Sequence, residues 1–187
     1  MDKFAHIRMV IGFILSLSIA HLLRGVAKII EHPGRNKPYW IHLSWVFYLF
    51  LQLIYFWWWE FNLERIREWT FLSYIFIIFY IVLLYVLCSL LFPDDLKDYG
   101  GFREYFYSRR KWFFALLGAT FLVDIGDTML KGSSYMQSLG SEYPVRNALH
   151  FILCLVAMRV SKPWFHAVLV IGFILYSISW ILRRYLT

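Results

Sequence analysis

The sequence predicts an all-α fold, a polytopic integral membrane bundle of about six transmembrane helices, and three observations carry that expectation. Residues 70–93 run for 24 positions without an Asp, Glu, Lys or Arg; at about 1.5 Å of rise per residue, such a helix crosses a hydrocarbon core roughly 30 Å thick. Of the 187 residues, 60% are apolar and 21% aromatic, while only 17% are charged, less than a soluble domain carries. Trp and Tyr gather at the ends of the apolar runs, as Tyr39-Trp40, Trp57-Trp58-Trp59, Trp69, Trp112 and Trp164, where amphipathic rings sit at headgroup depth. No link is long enough to separate domains, so residues 1–187 read as a single transmembrane domain.

The first span is expected at 9–30. Lys3 and Arg8 followed by the apolar residues 9–17 imitate a signal peptide, but apolar residues continue through Leu22, Leu23 and Val26 to Ile30, which argues for a retained helix. The break His32-Pro33-Gly34-Arg35 leads into a second span at 38–60, which ends on the tryptophan triplet with Glu60 as an interfacial residue in contact with water. The third, 69–92, stops at Pro93-Asp94-Asp95. Residues 92–111 pair that acidic start with a basic, aromatic end, a pattern that suits the helix macrodipole. It predicts an interfacial helix between spans three and four whose Arg109, Arg110 and Lys111 contact anionic lipid headgroups. Span four is expected at 112–131. After Gly140-Ser141-Glu142-Tyr143-Pro144 come span five at 145–161 and span six at 163–183.

The net charge of +7 sits beside apolar spans, which makes a bilayer containing anionic lipid the expected partner and excludes nucleic acid. Eleven Lys and Arg residues fall on the links after spans one, three and five, and eight on the other side, termini included. By the positive-inside rule the termini lie outside the cytoplasm. Cys88 and Cys154 lie within apolar runs without metal-ligand spacing and read as small buried residues. By analogy with other small membrane proteins, a homo-oligomer is expected.

Ionisable groups at bilayer depth face a bundle interior or a wet cavity. On span four, Thr120, Asp124, Asp127, Thr128 and Lys131 share one helical face, and on span one Ser18, His21, Arg24 and Lys28 do the same. Since buried charges are tolerated chiefly in pairs, His21 and Asp124 are expected to meet near the midplane. The expected transport pathway, between spans one, four and five, comprises His21, Arg24, Asp124, Asp127 and Thr128. A short echo between Ala20-His21-Leu22-Leu23-Arg24-Gly25 and Asp127-Thr128-Met129-Leu130-Lys131-Gly132 suggests a 3+3 inverted repeat of the kind transporters use.

These features point to a small channel or transporter for protons or small ions. In it His21 and Asp124 relay or bind the cargo, Asp127 attracts cations at one mouth, and Arg24 sets the field at the other. Two alternatives are a non-catalytic accessory or assembly subunit of a membrane complex and a haem-binding protein, the latter because His42 and His166 begin spans on the same side, with His150 on the other. No serine-protease, zinc or di-iron constellation occurs, so no catalytic residue and no metal ligand is assigned.

Overall fold

The computed structural model describes residues 3–32, 34, 37–66 and 68–185. Of the breaks and basic residues noted above, Pro33, Arg35 and Arg67 lie outside the described residues. The elements are α1 (Lys3–Glu31), α2 (Trp40–Trp59) with a 3-10 turn at Glu60–Arg65, α3 (Phe71–Ser89), α4 (Phe102–Leu130), α5 (Ser133–Ser138), α6 (Glu142–Arg159) and α7 (Pro163–Tyr185). The described residues contain no strand. Five segments are long and apolar enough to cross a membrane: α1, α2 with its 3-10 turn, α3, α4 and α7. The expected fifth span, α6, is not among them, for its 18 residues include Glu142, Arg146 and Arg159.

Local chemistry explains the boundaries. Thr70 and Ser73 cap each other's backbone at 3.1 Å, a reciprocal box that starts α3. Pro163 opens α7 at a position where its missing N–H costs nothing. Gly132 ends α4 at φ 109, a conformation open to a residue without a Cβ. The separate interfacial helix expected over 92–111 is not formed. Residues 90–101 are irregular, and Phe102 to Lys111 are the opening turns of α4 itself. The breaker is Gly100-Gly101, with Gly101 at φ 139. Past it nothing interrupts the helix, because Phe106 buries on the same side as Phe113 and Phe114.

The six long helices alternate in direction. The Gly12 backbone faces Trp57, Phe56 stacks edge-on against Tyr80, Tyr80 reaches Asp124, and Asp124 reaches Arg146. Helix α7 runs parallel to α2, with Gln52 bonded to Ser177 and Trp180 to Tyr55. One end of the bundle, the terminal end, therefore gathers the start of α1, the 3-10 turn, α5 and the end of α7; the other gathers the end of α1, the start of α2, residues 90–101 and the α6–α7 link. The closest pairing is α4 with α6, followed by α1 with α3. Gly118 permits the first, since a Cβ there would lie 3.3 Å from Cys154. A repeat of spans one to three as four to six would pair these helices alike, and the observed pairing does not.

Toward the end away from the termini, Trp45 forms a closed aromatic layer with Tyr48, Phe113, Phe114 and Phe173, at ring centroids of 5.3 to 5.4 Å. Each edge-to-face pair adds about 0.5–1.5 kcal/mol beyond its buried area. The outside is apolar as well: Phe13, Phe71, Leu72 and Val168 are all exposed.

Candidate functional site: a buried ionic network and its cavity

Helix α2 ends at Trp59, and the tighter 3-10 turn that follows carries Glu60 inward, where it is 3% exposed. The expectation of a water-facing Glu60 is thus corrected. The reason is Lys131, one turn beyond Asp127 on α4, whose Nζ donates to Glu60 Oε1 at 2.9 Å and to Asp127 Oδ2 at 2.5 Å. Trp59 Nε1 also donates to Asp127 Oδ2, at 3.3 Å, and the ammonium stands 5.4 Å from the Trp59 ring. Trp59 is therefore an interior residue rather than a member of a surface belt, unlike exposed Trp57 and Trp58. One oxygen of each carboxyl, Glu60 Oε2 and Asp127 Oδ1, is buried without a partner.

One turn up α4, Asp124 faces α6. Its Oδ2 accepts from Tyr143 Oη at 2.7 Å, Asn147 Nδ2 at 2.9 Å and Arg146 Nη2 at 3.1 Å, while its Oδ1 accepts from Tyr80 Oη at 3.3 Å. The phenol of Tyr143 has a single proton. With that proton given to Asp124, Thr128 must be the donor in the 2.6 Å contact between Thr128 Oγ1 and Tyr143 Oη. The Arg146 guanidinium lies against the rings of Tyr143 and Trp180, at 5.0 and 4.7 Å. Asp124 and Arg146 thereby form a charge-assisted pair in a nearly buried setting.

Above this pair lies a cavity of about 60 Å³, lined by Gln52, Tyr55, Asp124, Arg146, His150 and Ser177 among others, with room and polar partners for several water molecules. His150 Nδ1 donates to the Arg146 carbonyl at 2.8 Å, which leaves Nε2 as the ring's acceptor. The cavity stops at Tyr48, Leu87 and Leu117, beneath the aromatic layer. At the rim near the termini, Arg183 hydrogen-bonds Glu142 and holds its carboxyl down at about 2, with Tyr176 assisting.

The expected pathway residues divide into two groups. Asp124, Asp127 and Thr128 belong to this network, whereas His21 and Arg24 line a separate pocket of about 650 Å³ with Lys28, Asp94 and Asp95. His21 does not meet Asp124. Helix α1 packs on α3 and α2 rather than α4, and Gly25 lies under Phe92, just past α3, while Asp124 is level with Tyr80. That leaves His21 about two helical turns away in depth, on the order of 12 Å. Its Nε2 is buried without a partner.

The remaining expected residues have other settings. Arg109 donates to Tyr99 Oη at 2.8 Å, Arg110 to the Tyr107 carbonyl at 2.8 Å, and Lys111 is exposed, all near the end away from the termini. His42 Nε2 donates to the Leu91 carbonyl at 2.7 Å and His166 Nε2 to the Val160 carbonyl at 2.8 Å. Each ring is stacked, on Phe102 and Phe114 respectively. In each ring the nitrogen that donates to a carbonyl has no lone pair for iron, whereas the other, Nδ1, keeps its lone pair and is buried without a partner. Among the described residues no group of three or more His, Cys, Asp or Glu is placed to hold a metal.

Tyr143, Arg146 and Asn147 are not among the expected pathway residues. With His150 they recur at spacings of three, one and three, the same pattern as Asp124, Asp127, Thr128 and Lys131, so the stripe rule applied to α6 would have found them. No protein-family model matches the chain, and neither a curated protein nor a solved structure matches it.

Proposed function

We propose that the chain is a multi-pass membrane protein of six spans that moves protons across a bilayer through the interior bounded by α2, α4, α6 and α7. The observation that carries this reading is the run of buried ionisable and hydroxyl groups from Glu60, Lys131 and Asp127, through Thr128, Tyr143 and Asp124, to the cavity at Arg146 and His150. Such groups are expensive at bilayer depth and mark ion or proton pathways. The exposed apolar shell supports the lipid setting. Helix α6 fits as a sixth span because Arg146 meets Asp124 inside the bundle, while Glu142 and Arg159 stand at its two ends.

In this reading Asp124 is the relay, Asp127 and Thr128 feed it, and His21 and Arg24 lie off the route. The aromatic layer around Trp45 is the closed gate, so conduction needs its rings to move and the protein behaves as a gated transporter rather than an open pore. The 29-residue α4 rises about 43 Å, more than a bilayer core needs. Its first turns, with Arg109, Arg110 and Lys111, then reach anionic headgroups. In this reading the termini, and the mouth at Glu60, lie outside the cytoplasm, the side the Lys/Arg count of eleven against eight favours. Every group assigned to the route lies in one chain, so this reading does not call on a homo-oligomer.

The test is flux in liposomes under imposed pH, K⁺ and Na⁺ gradients, using protein that elutes as a single folded species. Proton flux is expected in the wild type and in H21A, and is lost in D124N. No flux under any gradient refutes the reading, and no flux together with a stoichiometric co-purifying partner favours an accessory subunit.

A further inference from the structure

We propose that Glu60 and Asp127 hold one proton between them across Lys131, which makes the floor of the network a proton-binding site. This rests on the transport reading for its setting and names the atoms that take the proton. The three side chains are 3%, 0% and 0% exposed, and two carboxylates against one ammonium leave an excess negative charge. Among the described residues nothing nearby cancels it: Asp124 is matched by Arg146, Arg65 lies outside, over the ring of Tyr135, Arg184 donates to the Ser138 carbonyl, and the aromatic neighbours Trp59, Tyr80, Tyr135, Tyr143 and Tyr185 are neutral. An uncompensated charge in such an enclosure is strongly disfavoured.

Lys131 and Trp59 engage Glu60 Oε1 and Asp127 Oδ2, while Glu60 Oε2 and Asp127 Oδ1 have no partner. An ionised carboxylate seldom leaves an oxygen bare in a dry interior. A hard metal ion asks for about six oxygens, and only these two are free, with no metal-competent cluster among the described residues. A proton needs one. Hydronium from the water at the terminal end gives its proton to one carboxylate, leaving water and a neutral carboxylic acid. The cluster then carries no net charge, and the two carboxyls titrate as a pair.

Infrared spectroscopy of the protein in lipid membranes at neutral pH tests this, since a carboxylic acid has a C=O stretch that a carboxylate lacks. The wild type is expected to show that band, shifted in D₂O. E60Q and D127N should each lose it, because the remaining carboxylate is balanced by Lys131, and D94N, on the exposed loop, should keep it. If either single variant fails to elute as folded, the uncharged triple variant E60Q/D127N/K131M takes its place, with the band again absent. Absence of the band from the wild type, or its survival in the cluster variants, overturns the proposal. A band without proton flux upholds the site and overturns transport; flux without a band does the reverse.

Discussion

Replacing Lys131 with methionine leaves Glu60 and Asp127 facing each other in a closed interior without their shared cation. The ammonium makes contacts of 2.9 and 2.5 Å, and its side chain is wholly buried. Removing one partner of a buried ion pair costs about 3–5 kcal/mol, and here a single substitution strands a carboxylate beside its protonated neighbour. Proton uptake by the second carboxyl limits the loss, so about 3–5 kcal/mol is expected at neutral pH and less at pH 5. That is a large part of the roughly 5–15 kcal/mol by which a native protein is stable. The assay is unfolding in mixed micelles with rising SDS, followed by tryptophan fluorescence, with Trp59 beside the cluster as a local reporter. The triple variant E60Q/D127N/K131M should recover most of the loss, since replacing every charged partner with a neutral group of similar shape is often nearly neutral. The reasoning fails if K131M lies within about 0.5 kcal/mol of the wild type, or if the triple variant is no more stable than K131M.

Gly25→Ala should destabilise by about 1–3 kcal/mol, because its Cβ would lie 2.2 Å from the ring of Phe92. Thermal melting should show the loss and its relief in G25A/F92A, and an unchanged midpoint in G25A would refute the contact. Arg183 holds the Glu142 carboxyl at about 2 in the folded chain, below its ordinary value near 4.3. The depressed folded value means that the pair stabilises above about pH 4.3 and that this contribution is lost as pH falls toward about 2. Both side chains are half exposed, so solvent and salt screen the pair and its contribution is small. Melting curves of wild type and E142Q should converge across that window, and a constant gap would count against the pair.

Much of the helical layout was legible because charge-free length is a direct physical requirement. The run over 70–93 became α3, and its start is set by Thr70, whose cap with Ser73 is written in the residues. The interfacial helix was misplaced because Asp94 and Asp95 resemble a helix start, whereas Gly100-Gly101 is the stronger interruption. The pairing of His21 with Asp124 required knowledge of depth, which depends on which helix packs on which. A stripe gives a direction around a helix but not a level along it. Glu60 was misjudged because three tryptophans imply an interface, and the 3-10 tightening that turns the third of them and the glutamate inward has no periodic signature. Asp124 and Asp127 were legible because a paired face of acids in an apolar run demands partners, although the partner of Asp124 proved to be Arg146.

The bond between Asp124 and Arg146 also bears on how the chain is made. On insertion scales an arginine at the centre of a span costs about 2.5–3.5 kcal/mol; in the six-span reading α6 carries Arg146 about one turn from its start, where the cost is smaller but still unfavourable, within only 18 residues. Its counter-charge is on α4, synthesised earlier, and the linking segment is short. In a six-span protein, α4 would therefore remain beside the insertion machinery until α6 emerges, so that the two leave for the lipid as one hairpin with their charges already joined. A ribosome stalled before residue 142 would hold a chain whose fourth helix has not yet been released.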